Sequence, residues 1–292
     1  TQVGETWVVV NGGTKDSGWL NDSYHTFENI PKGYTYHVLI FYNDGWGTNW
    51  YQHIYIKNIY LGNVEPVRVP SAIHEYLFNT GEGNTAYDNV GSLDGTIHGP
   101  DWNSSSYNDD MGYCLDFEKD DYSDEVYHAD DDDFSFGGDA FSVSIWACPE
   151  THYSTRGLMT KWNKYGNREW RFTCSGAYIY LELSNPTESA WIRGKADYSM
   201  STGTWYHLTA TYDGSESNSG ITIYINGINE TDVRDGSGTF TGMTNGNAMF
   251  CIGNEDNYNY RDFDGRLDNA RIYDEELSAS EVLLLYDIDT LN

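Results

Sequence analysis

TGTWYHLTATYDG (Thr202 to Gly214), followed by ITIYINGI (Ile221 to Ile228), decides the fold. Apolar and polar residues alternate in both stretches, the period of a half-buried strand. The first ends at Asp213-Gly214. The second ends at Asn226-Gly227, a pair that tolerates the left-handed backbone of a two-residue hairpin turn. Outward from this pair the same pattern recurs in AIHEYLF (Ala72 to Phe78), YCLDF (Tyr113 to Phe117), FSVSIWACP (Phe141 to Pro149) and GLMTKW (Gly157 to Trp162). It continues in EWRFTC (Glu169 to Cys174), AYIYLEL (Ala177 to Leu183), MFCIGN (Met249 to Asn254) and FDGRLDNARIYD (Phe263 to Asp274). Short strands at roughly ten- to fifteen-residue spacing predict an all-β chain folded as a two-sheet sandwich or jelly roll. The helical period is convincing only in LSASEVLLLYD, where Ser278 and Glu281 have capping-box spacing and predict a short C-terminal helix.

Residues 1–69 read differently. TWVVV, the strand after Pro31-Lys32-Gly33 and YQHIYIKNIYLGN (Tyr51 to Asn63) suggest a small β-rich N-terminal domain or docking segment. Pro66 and Pro70 place the boundary between Asn63 and Ser71, leaving residues 70–292 for the jelly roll. Trp46 and Trp50 lie in an aromatic loop, Tyr42 to Tyr51, that is either a turn packed by its own rings or a platform on which sugar rings stack.

The 292 residues carry a net charge of −29 with a pI near 4.3, which argues against nucleic acid and anionic membrane surfaces as partners. Aromatic residues make up 16% of the chain, so the acid belongs to a folded protein and not to a solvated tail. Such a surface suits an extracellular, even salt-adapted, setting or simply solubility. No window approaches the roughly 18 apolar residues of a membrane span, and direct membrane insertion is not expected. The start lacks an initiator Met, as in a processed or excised chain. Cys114, Cys148, Cys174 and Cys251 form no CxxC pair and read as buried thiols, with one disulfide possible. Sequons at Asn21, Asn103 and Asn229 are compatible with export.

The ordered set HEYLFNTGEGNTAYDNVGSLDGTIHG, MGYCLDFEKDDY, FSVSIWACP, GLMTKW, TGTWYHLTATYDG, ITIYINGI and CIGNEDNYNYRDFDGRLDNARIYDEELSASEVLLLY resembles the laminin-G-like domains of the concanavalin A-like lectin/glucanase superfamily. The resemblance covers about Ile73 to Asp287 and implies the jelly roll of secreted, surface and virion proteins. It also implies a structural Ca2+ between an N-terminal Asp-containing loop and the penultimate strand. Here the loop acid is Asp88 and the strand acid Asp268, with carbonyls near Asn89 and Gly91 completing the hard-oxygen set that Ca2+ takes. The alternative is that Asp88 caps a turn and Asp268 bonds to backbone amides. Simple alternation along FDGRLDNARIYD puts Leu267, Asn269, Arg271 and Tyr273 on one side and Arg266, Asp268, Ala270 and Ile272 on the other.

The run Asp130 to Asp133 is read as a solvated loop, since it lacks the spacing and turn glycine of an EF-hand. The loop Asn254 to Asp262 mixes acids, amides and tyrosines, which makes Glu255, Asp256, Tyr258 and Tyr260 candidates for a ligand-facing rim. Catalysis is not expected. A retaining glycosidase needs two carboxylates on one side of a strand, and the resemblance implies the signature Glu-x-Asp-x-x-Glu within an apolar strand; no segment fits it, Glu182 standing alone in YLEL and the pair Asp264 and Asp268 departing in spacing and identity. His207 reads as a packed histidine. The expected function is a non-catalytic extracellular or virion-surface module recognising a cell-surface glycan or glycoprotein. The alternative is a structural subunit that docks on neighbouring subunits, with homo-oligomers possible. A glycoside hydrolase or lyase ranks below both.

Overall fold

In the computed structural model, which describes residues 67–108, 112–119, 124–151, 155–185, 189–256 and 260–291, the deciding stretch forms the hairpin its sequence predicts. Strand β12 (Tyr206–Tyr212) pairs antiparallel with β13 (Ile221–Ile225), and β13 turns onto β14 (Ile228–Asn229) with Ile225 opposite Ile228. Asn226 and Gly227 both have positive φ, 52° and 79°, which is the two-residue turn whose twist matches the strands it joins. The Asn226 side-chain carbonyl also accepts the His207 amide at 2.9 Å, tying the turn to β12.

Two antiparallel sheets stack face to face. The first continues from β12 to β7 (Phe141–Pro149), β17 (Gly265–Tyr273), β5 (Cys114–Phe117) and β4 (Asp101–Asn103), with β1 (His74–Tyr76) also pairing on β17. The second runs β15 (Val233–Ser237), β11 (Trp191–Asp197), β10 (Tyr178–Ser184), β9 (Arg168–Ser175) and β8 (Thr155–Trp162). It then continues through β16 (Phe250–Ile252), β6 (Glu125–His128), β3 (Gly95–His98) and β2 (Thr85–Ala86). Alternation decides which side chains meet between the sheets. Phe141, Val143 and Ile145 of β7 and Leu208 and Ala210 of β12 face Trp170 and Phe172 of β9 and Ile179 and Leu181 of β10, all with zero exposure. Each such Leu, Ile, Val or Phe contributes about 1.5–3 kcal/mol by leaving water.

The other face of the first sheet is covered by α1 (Ala279–Leu291), which starts at the expected capping box. The Ser278 amide donates to Glu281 Oε2 at 2.7 Å, and the Glu281 amide returns to Ser278 Oγ at 3.4 Å. Val282 and Leu285 pack on Leu277, Tyr224 and Tyr273. Farther along, Asp289 receives both terminal nitrogens of Arg271, at 2.8 and 3.0 Å, and Trp146 Nε1 at 2.9 Å.

Strand β17 corrects the simple alternation. Asn269 adopts φ 50°, and the register against β7 shifts between Asp268 and Arg271. This bulge puts two residues opposite one on β7 and re-aims the remainder of the strand. Leu267, Ala270 and Ile272 therefore enter the core, whereas Asp268, Arg271 and Tyr273 lie under α1 and its flanking loop. All four cysteines are free and buried, as small apolar side chains within the sandwich. The expected N-terminal domain lies, up to Pro66, outside the described residues.

Candidate functional site

A groove opens at the edge of the sandwich where β1 runs on towards β2 and β4. It encloses about 220 Å³ between Leu77, Phe78, Asn79, Thr80, Thr85, Ala86, Tyr87, Asn89 and Trp102. Tyr87 stands 54% exposed, and Trp102 is held in place by its indole N–H donating to Gly83 O at 2.8 Å. Phe78 closes the floor with a φ of 51°. The lining contains two accessible aromatic rings, two amides and three hydroxyls, those of Thr80, Thr85 and Tyr87, and no charged side chain. In a chain of net charge −29, that neutrality is a local property of the site.

The loop bearing Tyr87 and Asn89 is positioned by Asp88. Its Oδ1 accepts the amides of Glu75 (3.1 Å), Val90 (3.3 Å) and Gly91 (3.0 Å), and its Oδ2 accepts Leu93 N–H (3.2 Å) and lies 2.7 Å from His74 Nδ1. Gly91 is required by the close approach, because a Cβ there would come within 2.3 Å of Asp88 Oδ2. Burial alone would raise the Asp88 pKa. The His74 ring and the amides of Glu75, Gly91 and Leu93 outweigh burial and hold it below the usual carboxylate value.

These partners do not fit the expected calcium site. A carboxylate whose two oxygens already take five donors has no lone pair left to aim at a cation. Asp268 has separate partners, with Oδ2 accepting the Ser106 hydroxyl at 2.6 Å, and burial pushes its pKa up to about 8. Among the described residues no three His, Cys, Asp or Glu side chains converge as a metal site. Asn89 faces the groove, and Gly91 serves the Asp88 turn. The turn-capping alternative for Asp88 matches the geometry. We therefore expect a chelator to leave the melting temperature within about 1 °C, while Asp88→Ala, by orphaning several buried amides, costs about 3 kcal/mol and lowers it by several degrees. Thermal denaturation of both samples checks this.

The expected ligand-facing rim is also relocated. Glu255 is fully buried and its Oε1 receives Arg171 at 3.2 Å, while burial raises its pKa. Asp256 is 2% exposed and accepts Asn163 Nδ2 at 2.6 Å. Both acids turn inward because the outer face of the second sheet offers them cations and amides that loop solvent would not replace. Tyr260 is 61% exposed. Tyr258, Trp46 and Trp50 lie outside the described residues.

That outer face carries an arrangement sequence reading missed. Arg171 stacks over Trp162 at 4.3 Å and near Tyr180, and Arg193 lies between Tyr180 and Trp191 at 5.2 and 4.9 Å. Glu182 bridges the two arginines at 3.2 and 3.1 Å, and Asp235 pairs with Arg193 and Lys195. The signal was present as Trp162, Arg171, Tyr180, Glu182, Trp191 and Arg193 at outward positions of adjacent strands. Its charges are met within the face, so this ladder ties five strands together, β8 to β11 and β15, and leaves the groove as a neutral, open site.

The family model described as the concanavalin A-like lectin/glucanases superfamily matches residues 120–283, more than half of the chain. The chain belongs to this superfamily. Comparison with curated protein sequences finds no match. Among solved structures, the binding domain of Paraclostridial Mosquitocidal Protein 1 is 17% identical with a TM-score of 0.57, covering 75% of this chain and 52% of that one. The Botulinum Neurotoxin serotype G binding domain is 16% identical with a TM-score of 0.57, over 75% and 51%. Domain 4 of AbnA, a GH43 extracellular arabinanase from Geobacillus stearothermophilus, solved in complex with arabinotriose, is 20% identical with a TM-score of 0.54, over 74% and 98%. The chain thus spans about half of the toxin domains and nearly all of the arabinanase domain. At these identities the likeness shows the fold alone. No helix among the described residues is long and apolar enough to cross a membrane.

Proposed function

We propose that this chain is a non-catalytic binding module, working outside the cell, that takes a neutral saccharide, free or on a glycoprotein, in the groove beside Tyr87 and Trp102. The observation that carries this reading is the lining itself. Aromatic faces pack on the apolar faces of sugar rings, amides and hydroxyls meet the ring hydroxyls, and no charge favours an ionic ligand. The volume suits a single sugar ring with its neighbours in solvent. Two kinds of support come from structures sharing the fold: an arabinanase domain solved with arabinotriose and toxin domains named as binding or receptor-binding domains. No calcium enters this proposal, because both oxygens of Asp88 are taken by amides and His74 while Asp268 bonds separately to Ser106.

Titration with a panel of neutral and acidic oligosaccharides tests it. A neutral oligosaccharide should bind saturably, and Tyr87→Ala should weaken it at least about tenfold with an unchanged melting temperature, since the ring is exposed and its loss removes stacking alone. Equal binding by Tyr87→Ala, or a preference confined to acidic sugars, would sink the assignment of this groove. Trp46→Ala and Tyr258→Ala in the same titration report whether those loops share the ligand.

A further inference from the structure

We propose that Lys161, Asp130 and Glu169 form an autocatalytic site that joins Lys161 Nζ to Asp130 Cγ in an intramolecular isopeptide bond. The pattern of β8 makes Lys161 anomalous. It occupies an inward position, aligned across the sheet with Trp170 of β9 and Phe250 of β16, and its side chain is completely buried. Phe134 stacks on Phe250 at 4.3 Å, and Trp170 Nε1 donates to Phe134 O, so aromatic rings wall the site. Within it the amine contacts the Asp130 carboxylate, the Ala248 carbonyl at 3.1 Å and the buried Glu169 carboxylate at 3.5 Å.

Transfer of one proton from the Lys161 ammonium to the Asp130 carboxylate it touches leaves an amine and a carboxylic acid side by side. The lone pair of Nζ then attacks Asp130 Cγ, and the new C–N bond forms as a C–O bond breaks. Glu169 takes a proton from the nitrogen and passes it to the departing hydroxyl, which leaves as water. The balance is one ammonium and one carboxylate giving one amide and one water, with Glu169 returned to its starting state and no oxidant, nucleotide or metal consumed. Fixed contact supplies the effective concentration that makes such a condensation feasible. The Asp130 side chain is 35% exposed, which gives the water a way out. The bond would fasten the loop after β6 to β8 and replace a half-buried ion pair with a neutral amide.

Intact mass under denaturing, reducing conditions tests this on the full chain produced in a bacterial cytoplasm. The expected mass is about 18 Da below that of the sequence, one water lost, with a branched peptide joining the segments around Lys161 and Asp130 after proteolysis. Asp130→Ala removes a loop side chain and should restore the full mass of its own sequence in a folded protein. Glu169→Gln should do the same or leave a slowly converting mixture. A wild-type chain at its full sequence mass overturns the proposal, and so does a lost water that peptide mapping places elsewhere or that persists in Asp130→Ala.

Discussion

Asp268→Asn is expected to raise the melting temperature at pH 9 by on the order of 10 °C and to leave it nearly unchanged at pH 4. Asp268 is 1% exposed, one oxygen accepts the Ser106 hydroxyl, and the other has no hydrogen-bond partner. Burial raises its pKa from 3.8 to about 8; Ser106 and the Asn269 amide oppose the rise, Asp289 adds to it and Arg271 opposes it. Proton binding decides the sign. Between pH 3.8 and 8 the folded chain holds a proton that the unfolded chain has released, so stability declines as pH rises and the loss is complete above 8. The gap corresponds to roughly 6 kcal/mol. An amide of the same shape does not ionise and escapes that loss. Because the many other acids titrate alike in both proteins, the variant-minus-wild-type difference isolates this group. A melting temperature lowered by the substitution at pH 9 would show that the ionised carboxylate is useful to the fold, as a bound cation would make it.

What could be read from sequence was local. The Asn226-Gly227 turn, the Ser278–Glu281 cap and the strand segments each depend on neighbours within a few residues. The bulge at Asn269 escaped because a period of two carries no mark of an extra residue, and the only clue was an Asn, the residue type besides Gly most tolerant of positive φ. Glu255 was misplaced for another reason. Its partner Arg171 stands 84 residues away on β9, and an acid in a polar loop looks identical in sequence whether it faces solvent or a buried guanidinium. The groove combines Tyr87 with Trp102 of β4 at the margins of two sheets, a juxtaposition made by topology alone. Lys161 was visible as a lysine within GLMTKW, but the inward direction that gives it meaning depends on a register irregularity beside Trp162.

Asp289→Ala is expected to cost about 3–5 kcal/mol at pH 7 and to expose α1 to proteolysis before the sandwich unfolds. Asp289 is 3% exposed and is the polar anchor of the helix on the first sheet. Its removal leaves the Arg271 guanidinium with Glu75 as its remaining carboxylate partner, at 2.7 Å, and deprives Trp146 Nε1 of its acceptor. The apolar contacts of Val282 and Leu285 lie nearer the start of the helix, so its last turns loosen first. Arg271→Met combined with Asp289→Leu should recover much of the loss, because the stranded charge and not the missing attraction dominates the single variant. The acid limb of the stability curve adds a second reading. His207 lies under the same helix with its pKa held down to about 4 by burial; Asp289, 4.0 Å away, opposes the fall and Arg271 adds to it. The unfolded chain therefore takes a proton near pH 6.5 that the folded chain refuses, and stability is complete above pH 6.5 and falls by roughly 3 kcal/mol towards pH 4. Without Asp289 the histidine is harder still to protonate, so the single variant should lose stability over a wider acid range than the parent. Limited proteolysis and melting curves from pH 4 to 8 measure both effects. A variant that keeps α1 protected and melts in parallel with the parent would mean that the helix is held by its apolar face alone.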